Sequence, residues 1–180
     1  VPHGAVGIVT PWNYPLTLPG TDTLPALVAG NAVVLKPDSL TPLTGIAIAN
    51  LLLEAGTPKD VLQVVVGPGS IVGEALTSNA DFVTFTGSTK TGKAMAAKLG
   101  ERLVGFAAEL GGKNPLLVLE DADVERAAVG ATQACFANAG QLCISIERIY
   151  ITEKHWDSFV PLFLERVKSQ TMAPGFSWST

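Results

Sequence analysis

Phe82-Val83-Thr84-Phe85-Thr86-Gly87-Ser88-Thr89-Lys90-Thr91-Gly92 is the stretch on which the fold turns. Its first five residues are β-branched or aromatic, the composition of a short buried strand. Gly87 and Ser88 end that run, and residues 91–99 follow with a helical pattern. Working outward, residues 5–10, 32–36 and 61–66 before it and 104–108 after it are apolar runs of the same kind. Helical patterns lie between them. The clearest opens at Thr41-Pro42 and closes at Gly56, with Leu43, Ile46, Ala47, Leu51 and Leu52 as a broad apolar face. Residues 71–76 supply another. Strands alternating with helices at this spacing predict an α/β fold, a Rossmann-like parallel sheet with helices on both faces.

After Glu109 the rhythm changes. Gly111-Gly112 and Pro115 mark a turn, residues 116–119 read as a strand, and Asp121-Ala122-Asp123 caps a long helix over 124–138. Residues 149–152 form a further strand, and an amphipathic helix covers 156–168. A domain boundary is expected near Gly111, dividing the chain into residues 1–110 and the start of a second α/β domain at 111–180.

Composition narrows the function. The 180 residues are 47% hydrophobic and 16% charged, enough for a substantial core. A net charge of −4 without a basic stripe argues against nucleic acid as a partner. The longest apolar run, from Ile46 to Leu53, is interrupted by Asn50, so no membrane span is expected. The first residues lack the charged start and apolar core of a signal peptide, which points to a cytoplasmic address. Two cysteines, Cys135 and Cys143, and two histidines, His3 and His155, do not suffice for a typical zinc site. Taken singly, each cysteine reads as a small buried hydrophobe. The first residue is Val1, and the stretch from Pro174 to Thr180 shows no closing element, so both ends read as cut.

In open parallel sheets, ligands bind at the carboxyl ends of the strands. Here those ends carry Thr10-Pro11-Trp12-Asn13-Tyr14-Pro15, then Lys36-Pro37-Asp38-Ser39, then Phe85-Thr86-Gly87-Ser88-Thr89, then Glu109-Leu110-Gly111-Gly112-Lys113-Asn114. Gly140-Gln141-Leu142-Cys143 comes later. Any one string is weak; five in this order and spacing resemble the aldehyde dehydrogenase superfamily along nearly the whole chain.

The resemblance implies a chemistry. Residues 1–110 would be the dinucleotide-binding domain and 111–180 the start of the catalytic domain. An aldehyde must first become a tetrahedral adduct, and Cys143, the only cysteine in a Gly-rich turn, would supply the thiolate. The Asn13 amide and the Cys143 backbone N–H would face the resulting oxyanion. Glu109 would activate the water that releases the acid from a thioester. Outside this context, Asn13 would be a turn residue, and Glu109 and Lys36 solvated strand-end charges.

For the cofactor, NADP or NAD, Lys36 resembles the family lysine that bonds the adenosine ribose. Pro37 and Asp38 continue that loop, and Gly87 and Ser88 precede a helix N-terminus suited to a pyrophosphate. Gly67-Pro68-Gly69 and Gly73 would admit the adenine, or else form an ordinary turn. Trp12 and Leu110 would line the nicotinamide side. Family members that prefer NAD often carry glutamate at position 39; Ser39 removes that carboxylate and favours NADP. The string around Cys143, with Ser145 two places on, is most similar to bacterial succinate-semialdehyde dehydrogenases of the NADP-using type.

Family members are well over twice this length, with a later Glu-x-Phe-Gly-Pro motif that is absent here. The resemblance therefore implies a fragment of a small-molecule enzyme whose parent is a homo-oligomer. Alone, the fragment is expected to be a poor enzyme, with unpaired sheet edges and with Phe159, Leu162 and Phe163 lacking cover. A catalytically incompetent relative is one alternative. Another is a nucleotide-binding P-loop in Gly87-Ser88-Thr89-Lys90-Thr91-Gly92-Lys93-Ala94, which fails at Ala94, where a hydroxyl should reach the metal.

Overall fold

The computed structural model describes residues 1–173 and 175. The expectation for Pro174 to Thr180 lies outside them, Gly175 excepted. The chain divides into two compact units, Val1–Gly111 and Gly112–Thr180.

The first unit is a five-stranded sheet of β1 (Ala5–Val9), β2 (Ala32–Lys36), β3 (Leu62–Val64), β4 (Phe82–Thr86) and β5 (Gly105–Glu109). Every pairing is parallel, in the order β3-β2-β1-β4-β5. The chain thus steps outward from β1 to β3, then crosses to the other side of β1 for β4. That reversal leaves a crevice beyond the carboxyl ends of β1 and β4, the topological switch point of such sheets.

Helices cover both faces. On one, Val6, Ile8, Val33 and Leu35 pack with Ala26 and Leu27 of α1 (Thr17–Val28) and with Ala49, Leu52 and Leu53 of α2 (Pro42–Glu54). On the other, Val9, Val83 and Phe85 meet Leu76 of α3 (Glu74–Asn79) and Met95 and Leu99 of α4 (Thr89–Glu101). Both faces of the central strands are dry, which is why they read as unbroken apolar runs.

Three details differ from the sequence reading. Helix α1 was not expected, because Thr17, Pro19, Gly20, Thr21, Thr23 and Pro25 are weak helix formers. Its buried face includes Pro19 and Thr23, so packing outweighs propensity. The helix expected over 71–76 is a π-helical turn at Gly69–Gly73 running into α3. Thr41 makes no capping side-chain bond; Pro42, at the start of α2, does the opening.

The second unit pairs β6 (Asn114–Val118) in parallel with β7 (Ile146–Ile151) and packs α5 (Val124–Phe136) against α6 (Glu153–Lys168). Asp123 caps α5 by accepting from the Arg126 N–H at 3.1 Å. Strand β7 begins three residues earlier than expected, and α5 ends at Phe136. Phe159 is not uncovered: it is 1% exposed, packed with Val118, Ala128 and Ala131, and its ring stacks on Phe163 at 5.7 Å. Leu162 and Phe163 join the same cluster half-buried. The exposed apolar residues of this unit include Leu117, Leu119 and Tyr150 of the two-stranded sheet and its margin, Ile144, and Trp156 and Leu164 of α6. Among the described residues, no helix is long and apolar enough to cross a membrane.

Candidate functional site

The first unit gathers its predicted residues at one edge of its sheet. Trp12 and Asn13 follow β1, Lys36 to Ser39 end and follow β2, Gly87 and Ser88 follow β4, and Glu109 ends β5 with Leu110 just after it. Two backbone bonds tie these ends together: Thr10 N–H to the Lys36 carbonyl at 3.1 Å, and Gly87 N–H to the Glu109 carbonyl at 3.0 Å.

Lys36 is 4% exposed, and its Nζ donates to the Pro37 carbonyl at 2.9 Å. Burial holds its ammonium below the usual range, and the Asp38 carboxylate opposes that shift. An ammonium has three protons, so this buried group keeps donor capacity for a hydroxylated ligand. Asp38 shapes the loop: its Oδ1 accepts from Leu40 N–H at 2.9 Å and its carbonyl from Thr41 N–H at 3.2 Å. Ser39 Oγ donates to the Gly67 carbonyl at 3.0 Å, across to the loop after β3. Gly67 has φ +155°, and a Cβ there would lie 2.9 Å from Val72.

At the end of β4, the Ser88 hydroxyl caps α4 by accepting from Thr91 N–H at 3.2 Å. The amides just ahead of Thr91 open the helix without intrahelical acceptors, the arrangement that suits a phosphate oxygen. Helix α4 begins at Thr89, so Lys90 to Lys93 are helical and cannot form the extended loop of an NTPase. Trp12 is 41% exposed, whereas Leu110 packs on Gly92 of α4, so closely that a Cβ there would fall 2.6 Å from it. The buried lysine, the glycine-bounded loop at Gly67 and the capped helix start at the switch point fit a dinucleotide.

Sequence reasoning missed Asp22. Its carboxylate accepts from Thr84 Oγ1 at 3.3 Å. Burial pushes its pKa up, the Thr84 bond pulls it back, and the charge of Glu109 pushes it up again. Its signal was being the single charge in residues 17–28.

In the second unit, α5 is followed by three left-handed residues, Asn138 (φ 52°), Ala139 (φ 55°) and Gly140 (φ 75°). Gly140 adopts this region freely and Asn138 tolerates it, so the strain of the turn ahead of Cys143 falls on Ala139. The Cys143 carbonyl accepts from Asn114 Nδ2 at 2.7 Å, and the Ser145 carbonyl accepts from the same nitrogen at 3.0 Å. Buried Ser145 points the other way, its Oγ donating to the Cys135 carbonyl at 3.1 Å and the Ala134 carbonyl at 3.3 Å. The Cys135 thiol is half-buried on α5, and burial pushes its pKa up. That leaves Cys143 as the cysteine held in an irregular turn. Asn114 was also missed, since an asparagine before a proline reads only as turn chemistry. Among the described residues no three His, Cys, Asp or Glu side chains group as metal ligands.

Comparison with known proteins identifies the family. The aldehyde dehydrogenase family model matches residues 1–180. The chain belongs to the aldehyde dehydrogenase family. A relative from Mycolicibacterium smegmatis, provisionally named an NADP(+) succinate-semialdehyde dehydrogenase, is 54% identical over 178 residues. The alignment takes in 99% of this chain and 34% of the relative, so the chain spans about a third of the length of such family members. Among solved structures, an aldehyde dehydrogenase from Brucella melitensis biovar abortus superposes with a TM-score of 0.95 at 36% identity. It shares 99% of this chain and 37% of its own. An NAD+ complex of the Bacillus cereus aldehyde dehydrogenase gives 0.94 at 38% identity, with the same coverage.

Proposed function

We propose that this chain is part of an NAD(P)-dependent enzyme that oxidises an aldehyde to a carboxylic acid, with succinate semialdehyde as the substrate and NADP as the preferred cofactor. The observation that carries the reading is the family match across residues 1–180. The substrate follows from the name of the relative at 54% identity. The cofactor preference follows from Ser39, which offers a hydroxyl bonded to the Gly67 carbonyl where a carboxylate would repel a 2′-phosphate.

In this reading the Cys143 thiolate adds to the aldehyde carbon, and the carbonyl oxygen takes the charge. The Asn13 amide and the Cys143 backbone N–H donate to that oxyanion, which is worth most where water is excluded. When bound, the dinucleotide supplies the two-electron oxidant that turns the adduct into a thioester. Glu109, exposed at the end of β5, takes a proton from water so that the hydroxide attacks the thioester and frees the acid. Lys36 holds the ribose hydroxyls, and the start of α4 with Ser88 holds the pyrophosphate.

The test is to incubate the complete protein with succinate semialdehyde and either NADP or NAD, and to follow both reduced cofactor and succinate. Equimolar formation of the two products, faster with NADP, is the expected result. No reduced cofactor with this or any other small aldehyde would overturn the assignment.

A further inference from the structure

Asn114 lies outside the proposed chemical machinery, yet its single amide nitrogen is bonded to the carbonyls of both Cys143 and Ser145. We propose that Asn114 is the positioning residue of the Cys143 turn, fixing the nucleophile's own peptide from the first residue of β6. The proposal rests on the reading of Cys143 as the nucleophile.

Three observations support it. An amide nitrogen has two protons, and two carbonyl acceptors at 2.7 and 3.0 Å use both. The amide orientation is therefore unambiguous, since the Oδ1 face would meet two carbonyl oxygens. Next, Gly112 makes room for this arrangement: a Cβ there would come 3.0 Å from Asn114 Oδ1 and 3.4 Å from Nδ2. The second glycine of the Gly111-Gly112 pair thus allows the side chain to tuck under its own approach strand. Finally, the strand start is itself clasped. Lys113 forms an ion pair with Glu147, and Arg148 Nη2 donates to the Lys113 carbonyl at 2.7 Å. A bulge between Asn114 and Pro115 sets Asn114 opposite Ile146 and Pro115 opposite Arg148. The anchor is a clamped strand end rather than a loose loop.

The consequence is electrostatic as well as steric. The Cys143 carbonyl is the negative end of the peptide dipole attached to the nucleophile's own Cα. One Asn114 N–H holds that oxygen in one direction and offsets its charge, while the other fixes the Ser145 carbonyl two residues on. Without them, an oxygen free to swing toward the thiolate would disfavour it, and the strained turn from Asn138 to Gly140 would relax.

The test uses Asn114→Asp, nearly isosteric but without donors, and Asn114→Leu, similar in size but apolar, in the complete protein. Alkylation of Cys143 by iodoacetamide, read by peptide mass spectrometry, is measured beside kcat, KM for the dinucleotide and thermal melting. Both variants should alkylate about tenfold more slowly and lose kcat in proportion, with the dinucleotide KM unchanged. Gly112→Ala, which displaces the amide without removing it, should fall between them and wild type, and serves if the Asn114 variants do not fold. Wild-type alkylation in a folded Asn114 variant, or in Gly112→Ala should neither fold, would overturn the proposal. Failure of the nucleophile reading looks different: slowed alkylation with undiminished turnover.

Discussion

Ser39 Oγ donates to the Gly67 carbonyl at 3.0 Å, joining the loop after β2 to the loop after β3. The hydroxyl therefore braces two loops at the crevice and places no negative charge there. Replacing it with glutamate does two things: it removes the brace, and it sets a carboxylate beside the expected ribose. Ser39→Glu should weaken NADP by tenfold or more and NAD by much less, on the order of one charge repulsion in a partly desolvated site. Fluorescence titration of both cofactors checks this; equal losses would mean residue 39 acts only through the loops.

Glu109 stands at the end of an exposed strand, and its proposed work comes after the thioester has formed. Glu109→Gln should give a burst of reduced cofactor close to one per site, then a steady rate lowered about a hundredfold or more. Rapid-mixing absorbance measures both phases. Loss of the burst with intact cofactor binding would put Glu109 in the earlier step.

Asp22 makes the stability of the first unit depend on pH. Burial holds its folded-state pKa above the ordinary aspartate value, so between those two values the folded chain binds more protons than the unfolded one. Stability is then lost as pH rises through that window, and the loss persists at neutral pH. Asn keeps a partner for Thr84 and has nothing to ionise. Asp22→Asn should therefore raise the melting temperature at neutral pH by about 2 °C and leave it unchanged at pH below the ordinary aspartate pKa. Melting curves across the acid range decide it.

Gly45 of α2 lies against fully buried Pro37, and a Cβ on it would sit 2.5 Å from the Pro37 Cβ. Alanine is the better helix former by about 1 kcal/mol, yet here the clash should win. Gly45→Ala should destabilise the protein by about 1–3 kcal/mol and, by displacing the residue next to Lys36, weaken dinucleotide binding. Urea unfolding with an unchanged m-value, paired with cofactor titration, tests both halves.

Much of this architecture was legible in the residues because a parallel sheet buried on both faces writes continuous β-branched runs. β2 and β4 match their expected bounds residue for residue, and the other three strands of that sheet are displaced or shortened by only one or two residues at an end. What could not be read depended on partners distant in sequence. α1 is helical because the sheet buries Pro19 and Thr23, against the preference of its own residues. Asp22 matters because Thr84, 62 residues away, bonds it, and Asn114 because Cys143 lies 29 residues on. Phe159 looked exposed for the same reason: its cover comes from α5 and β6, which spacing within α6 does not show.

In the proposed function Cys143, rather than Cys135, performs the chemistry. The direct measurement is steady-state oxidation of succinate semialdehyde by the complete protein carrying Cys143→Ala or Cys135→Ala. Cys135 is half-buried on α5, its thiol is pushed away from ionisation, and its backbone carbonyl serves Ser145 whatever side chain it carries. Cys135→Ala should keep most of the activity, and Cys143→Ala should bind the dinucleotide normally and turn over at least about a thousandfold more slowly. Substantial turnover by Cys143→Ala would rule out Cys143 as the nucleophile.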